Sequence, residues 1–222
     1  MEPFNDKNLT KRVVSALTDK NVEFEVLFTN KKKSMKTIFD LIKRFKTLNY
    51  EIIHKGDEEL DIFILQDNNQ LRATINENEI IKFCKMNCLE KEDISKLTLK
   101  TPLEKRLVNK NYDFNINLKS EIEYDDLNES KQIENESYKE QFLNKKQFKL
   151  LNKRFRFKKR YSFITNDKLF QIDLTIVKQS DGFSFIESKL LDNKNIEYEI
   201  ELEFIGDKFK SNLTDTDKKK QV

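Results

Sequence analysis

The chain has 222 residues, and a charged fraction of 36% beside 18 Phe describes a packed soluble domain rather than a disordered one, with the net charge of +3 too small to attract nucleic acid in bulk. Only Gly56, Gly182 and Gly206 are glycine, which excludes a phosphate-binding glycine loop or a dinucleotide fingerprint; Cys84, Cys88 and the single His54 are too few for zinc, and no basic loop follows either cysteine as in a thiol phosphatase. No apolar run approaches ~18 residues and "MEPFNDKNLTKR" lacks a secretory core, so a reducing, cytoplasmic setting with no membrane partner is expected.

In chain order, Asp6 to Lys20 reads as a short amphipathic helix and "VEFEVLF", Val22 to Phe28, as a strand. A stronger helix follows Ser34, with Ile38, Leu41, Ile42, Phe45 and Leu48 on one side. "YEIIHK" and "ELDIFIL" read as two strands turned around Gly56, then "QLRATI" as another. Helices are expected at "NENEIIKFCKMN" and, more weakly, "EKEDISKL", before a strand at "YDFNINLKSEIEY". Asp125 to Glu140 is polar throughout and reads as an insertion leading into a helix at "EQFLNKKQFKLL". The last third reads as strands at "KRFRFKKRYSFIT", "LFQIDLTIVKQ", "FSFIESKLLD" and "IEYEIELEFIG". One domain over 1–206 and a polar tail or linker over 207–222 are expected.

The strand "NIEYEIELEF" places Glu197, Glu199, Glu201 and Glu203 on one face, with Tyr198, Ile200, Leu202 and Phe204 on the other. Like charges ~7 Å apart repel by roughly 2 kcal/mol per pair at an effective dielectric of ~20, so such a row calls for nearby cations. "RFRFKKRYSF" supplies them: Arg154, Arg156, Lys158 and Arg160 share a face. Glu23 and Glu25, the set Asn115, Asn117, Lys119, Glu121 and Glu123, and Asp173 with Thr175 repeat the rhythm. The recurring inversion suggests a closed sheet with a charged lumen, packed outside by helices, although a solvated single-layer sheet would present the same alternation. Clustered carboxylates offer hard oxygen ligands for Mg²⁺ or Mn²⁺, and facing arginine and lysine can hold phosphate oxygens, so a triphosphate is the expected ligand.

Four motifs in order over residues 22–205, "VEFEV", "RFKKRYSF", "IDLT" and "YEIELEF", resemble the metal-dependent RNA triphosphatases of fungal and large-DNA-virus mRNA capping systems, a branch of the triphosphate tunnel metalloenzymes. The resemblance implies an α+β fold, an eight-stranded antiparallel β-barrel that removes the γ-phosphate from 5′-triphosphate RNA. It implies Glu23, Glu25 and Glu203 as metal ligands, with Glu199 and Glu201 supporting the metal's waters or the basic residues. Arg156, Lys158, Arg160 and Arg72 would bind the triphosphate. Glu121 or its same-parity neighbour Glu123 would lie near the attacking water, and Asp173 would orient a cage arginine. Arg154 and Glu197 fall outside the motif cores, as tunnel-mouth residues, and Lys105 and Arg106 are unassigned cations. The bacterial and animal branch carries a lysine two residues after the first glutamate pair; this chain has Leu27, which points away from that branch's small-molecule substrates.

The partners implied are the RNA 5′ end and a guanylyltransferase in cis or trans, with the tunnel itself acting as a monomer. "KQSDG" at Lys178 is one residue too long for the Lys-x-Asp-Gly nucleotidyl-transfer motif. Three alternatives stay open from the residues alone: a noncatalytic module binding polyphosphate or RNA ends, a tunnel enzyme hydrolysing NTP or inorganic polyphosphate, and a structural β-domain with solvated charge.

Overall fold

The structure is a computed structural model that describes residues 22–29, 32–66, 69–102, 107–109, 113–123, 140–192 and 194–206. The helix expected at Asp6 to Lys20, the insertion over 125–139, Lys105, Arg106 and the tail from Asp207 lie outside them. The strands are β1 (Val22–Phe28), β2 (Glu51–Gln66), β3 (Asn69–Asn76), β4 (Lys96–Pro102), β5 (Leu107–Asn109), β6 (Phe114–Glu123), β7 (Lys153–Ile164), β8 (Phe170–Gly182) and β9 (Glu197–Phe204). The helices are α1 (Met35–Thr47), α2 (Glu77–Met86), α3 (Lys145–Leu150) and α4 (Phe185–Ser188).

Every strand pairing is antiparallel, in the order β1-β9-β8-β7-β2-β3-β4-β6-β5. Phe114 to Ile116 of β6 pair with β1 on one edge and with β5 on the other, the edge that β4 occupies further along, so nine strands fill eight places in a curled sheet. β1 pairs with β6 from Val22↔Ser120 to Phe28↔Phe114, but with β9 only at Glu25↔Glu203, Val26↔Leu202 and Leu27↔Glu201. Among the described residues the stretch Glu197 to Ile200 has no strand partner on that edge, so the curl is open there.

Strand alternation sends apolar side chains to the convex face, where helices cover them. Leu60, Ile62 and Ile64 of β2, Leu71, Ala73 and Ile75 of β3, Leu97 of β4 and Phe155 of β7 pack beneath Phe83 of α2, Phe148 of α3 and Phe185 of α4. A second cluster sets Ile38 and Ile42 of α1 on Phe163 and Leu174. Burying such a side chain contributes about 1.5–3 kcal/mol, and the polar residues between them are thereby fixed on the concave face. α1 begins where its sequence indicates: Ser34 accepts from the Thr37 amide and Thr37 reciprocates, a capping box.

Three local expectations are corrected. The strand pair around Gly56 is one strand, β2, whose register against β7 slips between Ile52 and His54 and again between Lys55 and Asp57. Gly56, at φ 103, serves a bulge there and not a hairpin, because β7 offers an uninterrupted partner. The weak helix at "EKEDISKL" shrinks to a 3₁₀ turn, Lys91–Asp93, and the chain then enters β4, whose Leu97 is drawn into the core. "FSFIESKLLD" is no strand: the Ser184 hydroxyl accepts from the Glu187 amide, and Phe185 and Ser188, three apart, are the buried pair of α4. A Cβ at Gly56 would lie 2.9 Å from Tyr161 Oη, at a φ that L residues rarely adopt. Gly56→Ala is therefore expected to lose about 1–3 kcal/mol in urea unfolding, and an unchanged midpoint would refute the strained-bulge reading.

Candidate functional site

The concave face carries an acidic wall and a mixed basic wall. On β1, Glu25 is 6% exposed, lies across from Glu203, and accepts hydrogen bonds from Asn117 Nδ2 at 3.2 Å and Lys119 Nζ at 2.7 Å. Glu23 accepts from Lys100 Nζ at 2.9 Å. Glu201 reaches Glu25 from β9, close enough for one carboxyl to hydrogen-bond the other. Burial drives Glu201 well above its ordinary pKa, and the neighbouring Glu25 charge adds to that. Burial raises Glu25 too, but the hydrogen bond from Glu201 and the Lys119 charge outweigh it and bring Glu25 to about 2. Glu199 pairs with Arg156 across the face.

On β7, Lys158 is 2% exposed and lies between Glu59 Oε2 at 2.8 Å and Asp61 Oδ2 at 2.9 Å. Burial holds its pKa below the ordinary lysine value, against the pull of those carboxylates. Asp61, with no exposed surface, accepts a hydrogen bond from Thr74 Oγ1 at 2.8 Å. Burial would raise its pKa, but Lys158 and Arg72 bring it to about 2. Arg160 approaches Asp173 at 3.8 Å and Glu59 at 3.9 Å, and Asp173 also accepts from Gln171 Nε2 at 3.0 Å. Arg72 Nε donates to Thr98 Oγ1 at 3.0 Å.

The curl thus brings Glu23, Glu25, Glu201, Glu203, Glu199, Asp173, Arg72, Arg156, Lys158 and Arg160 onto one concave surface. The backbone of Glu121 lies opposite Lys100 on the same sheet; the side chains of Glu121 and Glu123 lie outside the described residues. Arg154, bonded to exposed Asp181, and Glu197, bonded to Gln179, sit at the rim. Sequence reading missed the counter-charges Glu59, Asp61 and Lys100, and left Lys119 without a role. The alternation in "EELDIFIL" carries the signal for Glu59 and Asp61, hidden by the supposed turn at Gly56. Lys100 belongs to β4, most of which lies beyond the helix expected at "EKEDISKL" and was assigned to no element.

Four buried polar atoms have no hydrogen-bond partner among the described residues: Asp61 Oδ2, Arg160 Nε, Ser162 Oγ and Thr175 Oγ1. Asp61 Oδ2 is compensated by the ammonium charge of Lys158, although that contact is not an aligned hydrogen bond. The other three can each donate a hydrogen bond. For a divalent cation, the hard carboxylate oxygens of Glu23, Glu25 and Glu203 suit Mg²⁺ or Mn²⁺ by donor type. Among the described residues, however, no three acidic, histidine or cysteine side chains converge as a ready metal cluster. Lys100 and Lys119 occupy the carboxylates instead.

The fold resembles solved Mimivirus structures. One described as the capping enzyme triphosphatase, in a triclinic form, has 22% sequence identity, a TM-score of 0.63 and 90% coverage of each chain. A monoclinic form has 23% identity and a TM-score of 0.64, covering 92% of this chain and 91% of that one. A third, the RNA triphosphatase domain of a trifunctional mimivirus mRNA capping enzyme, has 22% identity and a TM-score of 0.63, covering 92% and 89%. These likenesses establish the fold. No curated protein sequence matches the chain, and among the described residues no helix is long and apolar enough to cross a membrane. Residues 6–221 match the family described as the mRNA capping enzyme beta chain, the mRNA triphosphatases, and the chain belongs to that family of RNA 5′-triphosphatases.

Proposed function

We propose that the chain removes the γ-phosphate of 5′-triphosphate RNA on the concave face, in a metal-dependent reaction and as the first step of cap formation. The observation that carries this reading is that carboxylates of β1 and β9 share a concave face with buried Lys158 and half-buried Arg160, with the orphaned Arg160 Nε, Ser162 Oγ and Thr175 Oγ1 on the adjoining strands β7 and β8. Mg²⁺ or Mn²⁺ held by Glu23, Glu25 and Glu203, with Glu199 in support, would supply Lewis-acid polarisation of the γ-phosphoryl group. Arg72, Arg156, Lys158 and Arg160 hold the phosphate oxygens, and Glu59 and Asp61 fix Lys158 while Asp173 fixes Arg160. Water attacks the γ-phosphorus in line, the bond to the β–γ bridging oxygen breaks, and inorganic phosphate and a diphosphate RNA end leave without an enzyme-bound intermediate. Glu201 and Glu121 are the carboxyls assigned to the attacking water and its proton.

The working form is a closed eight-stranded tunnel, supported by the pairing of β1 with both β9 and β6. A diphosphate end is a substrate for nucleotidyl transfer, so the partner is a guanylyltransferase in cis or trans, with the tunnel itself monomeric and cytoplasmic. Release of phosphate from 5′-triphosphate RNA in Mg²⁺, Mn²⁺ and EDTA tests the reading. Turnover that persists in EDTA defeats the metal requirement, and the absence of turnover in either metal defeats hydrolysis.

Lys119 supplies a test without turnover. Its ammonium sits 2.7 Å from Glu25, where a divalent cation would meet an added positive charge. Lys119→Met is expected to tighten Mn²⁺ binding by at least about tenfold by calorimetry, since unit charges ~4 Å apart at an effective dielectric of ~20 interact by about 4 kcal/mol. Protons compete for the same carboxylates, so Mn²⁺ affinity should fall as pH drops. Unchanged Mn²⁺ affinity in the variant would show that Glu25 is not a ligand.

A further inference from the structure

Phe63 is an aromatic residue on the charged concave face. Its neighbours Ile62 and Ile64 belong to the convex core, whereas alternation turns Phe63 inward, paired across the sheet with Arg72 on one side and Arg154 on the other. It lines a cavity of about 190 Å³ with Gln70, Arg154, Arg156, Gln179 and Glu199, the one aromatic ring among otherwise polar walls of the described residues. Arg154 and its partner Asp181 are 38% and 54% exposed, which places the cavity at an opening of the sheet. Glu199 is four residues from Glu203 along β9, about 13 Å, so the cavity adjoins the phosphate cage at Arg156 and Glu199 and lies away from Glu203 and the β1 carboxylates.

Resting on the reading of RNA triphosphate hydrolysis, we propose that this cavity binds the first nucleoside of the RNA, with its base stacked on Phe63. An apolar ring among amides and guanidinium groups is the composition that receives a nucleobase. Its face stacks on the aromatic ring and its polar edges meet Gln70 and Gln179, whose amides both donate and accept. Arg154 faces the following phosphodiester. Stacking works with every base, and the glutamine amides can suit different edges, so the site takes an RNA 5′ end irrespective of its first base. The cavity therefore favours a triphosphate attached to a nucleoside over free tripolyphosphate, a preference that the phosphate cage cannot create alone.

The test is equilibrium binding in Ca²⁺ of a 3′-labelled RNA pentamer bearing a 5′-triphosphate, with tripolyphosphate as competitor. Wild-type protein is expected to bind the RNA at least about tenfold more tightly than tripolyphosphate. Phe63→Leu keeps an apolar side chain but removes the stacking face, and should bring the ratio of the two affinities close to one; Phe63→Tyr should keep it. Arg154→Gln, at the rim, should lower the ratio without disturbing the core, which guards against a misfolded Phe63 variant. Equal wild-type affinities, or equal losses for both ligands in Phe63→Leu, would overturn the proposal. If wild-type protein released no phosphate yet kept the preference, the hydrolysis reading would fail and the nucleoside site would stand.

Discussion

Glu25→Ala is expected to slow phosphate release from 5′-triphosphate RNA by at least about a hundredfold, the scale seen when one preorganised electrostatic group is removed from a reacting centre. Three features of its surroundings make Glu25 the most consequential carboxylate. It is almost fully buried, it faces Glu203 across the β1/β9 seam, and it is the joint partner of Asn117, Lys119 and the Glu201 carboxyl. Removing it deletes a proposed metal ligand and leaves the Lys119 ammonium without its nearest carboxylate. Glu25→Gln keeps the side chain's size but loses the charge, so it should be nearly as slow. Glu197→Ala, at the exposed end of β9, should cost only a few-fold. Turnover by Glu25→Ala within tenfold of wild type, with an intact circular dichroism spectrum, would remove Glu25 from the metal site.

The second large effect is expected at Lys158, through stability as well as turnover. Lys158→Met leaves half-buried Glu59 and fully buried Asp61 with one cation fewer, and breaking the buried Lys158–Asp61 pair on one side costs about 3–5 kcal/mol. Adding Asp61→Asn to that variant removes the uncompensated charge and should recover part of the stability but none of the activity, because the phosphate cation is still missing. Acid sensitivity follows the same pair. Asp61, depressed to about 2 from an ordinary 3.8, contributes stability that is full above its unfolded pKa and is lost as pH falls through about 2. Wild-type protein should therefore lose stability from about pH 4 to 2 more steeply than Asp61→Asn. An undiminished urea midpoint for Lys158→Met would show that the triad is not a cohesive unit.

The motif strands were legible because strand alternation is local. Glu23 and Glu25, Arg156 to Arg160, Asp173 and the Glu197 to Glu203 row are read correctly from period-two spacing, since the backbone pleat alone assigns them to a face. α1 was legible too, through the Ser34 cap and a 3.6-residue stripe. The failures occurred where tertiary pairing overrides local appearance. Gly56 resembles a turn residue, but a continuous β7 partner converts it into a bulge. "SKLTLKTP" follows a helix-like stretch, yet β3 and β6 capture it as a strand. "FSFIESKL" alternates by coincidence, and the Ser184 cap decides for helix.

By itself the sequence determined which side chains share a face and that opposite charges recur in one rhythm, because those properties depend only on neighbours along the chain. Tertiary structure alone decided which cation meets which carboxylate: Lys119 on Glu25, Lys100 on Glu23, Lys158 between Glu59 and Asp61. Those partners lie on different strands, and their meeting depends on register and curl across the sheet, set by how the convex apolar clusters pack beneath the helices.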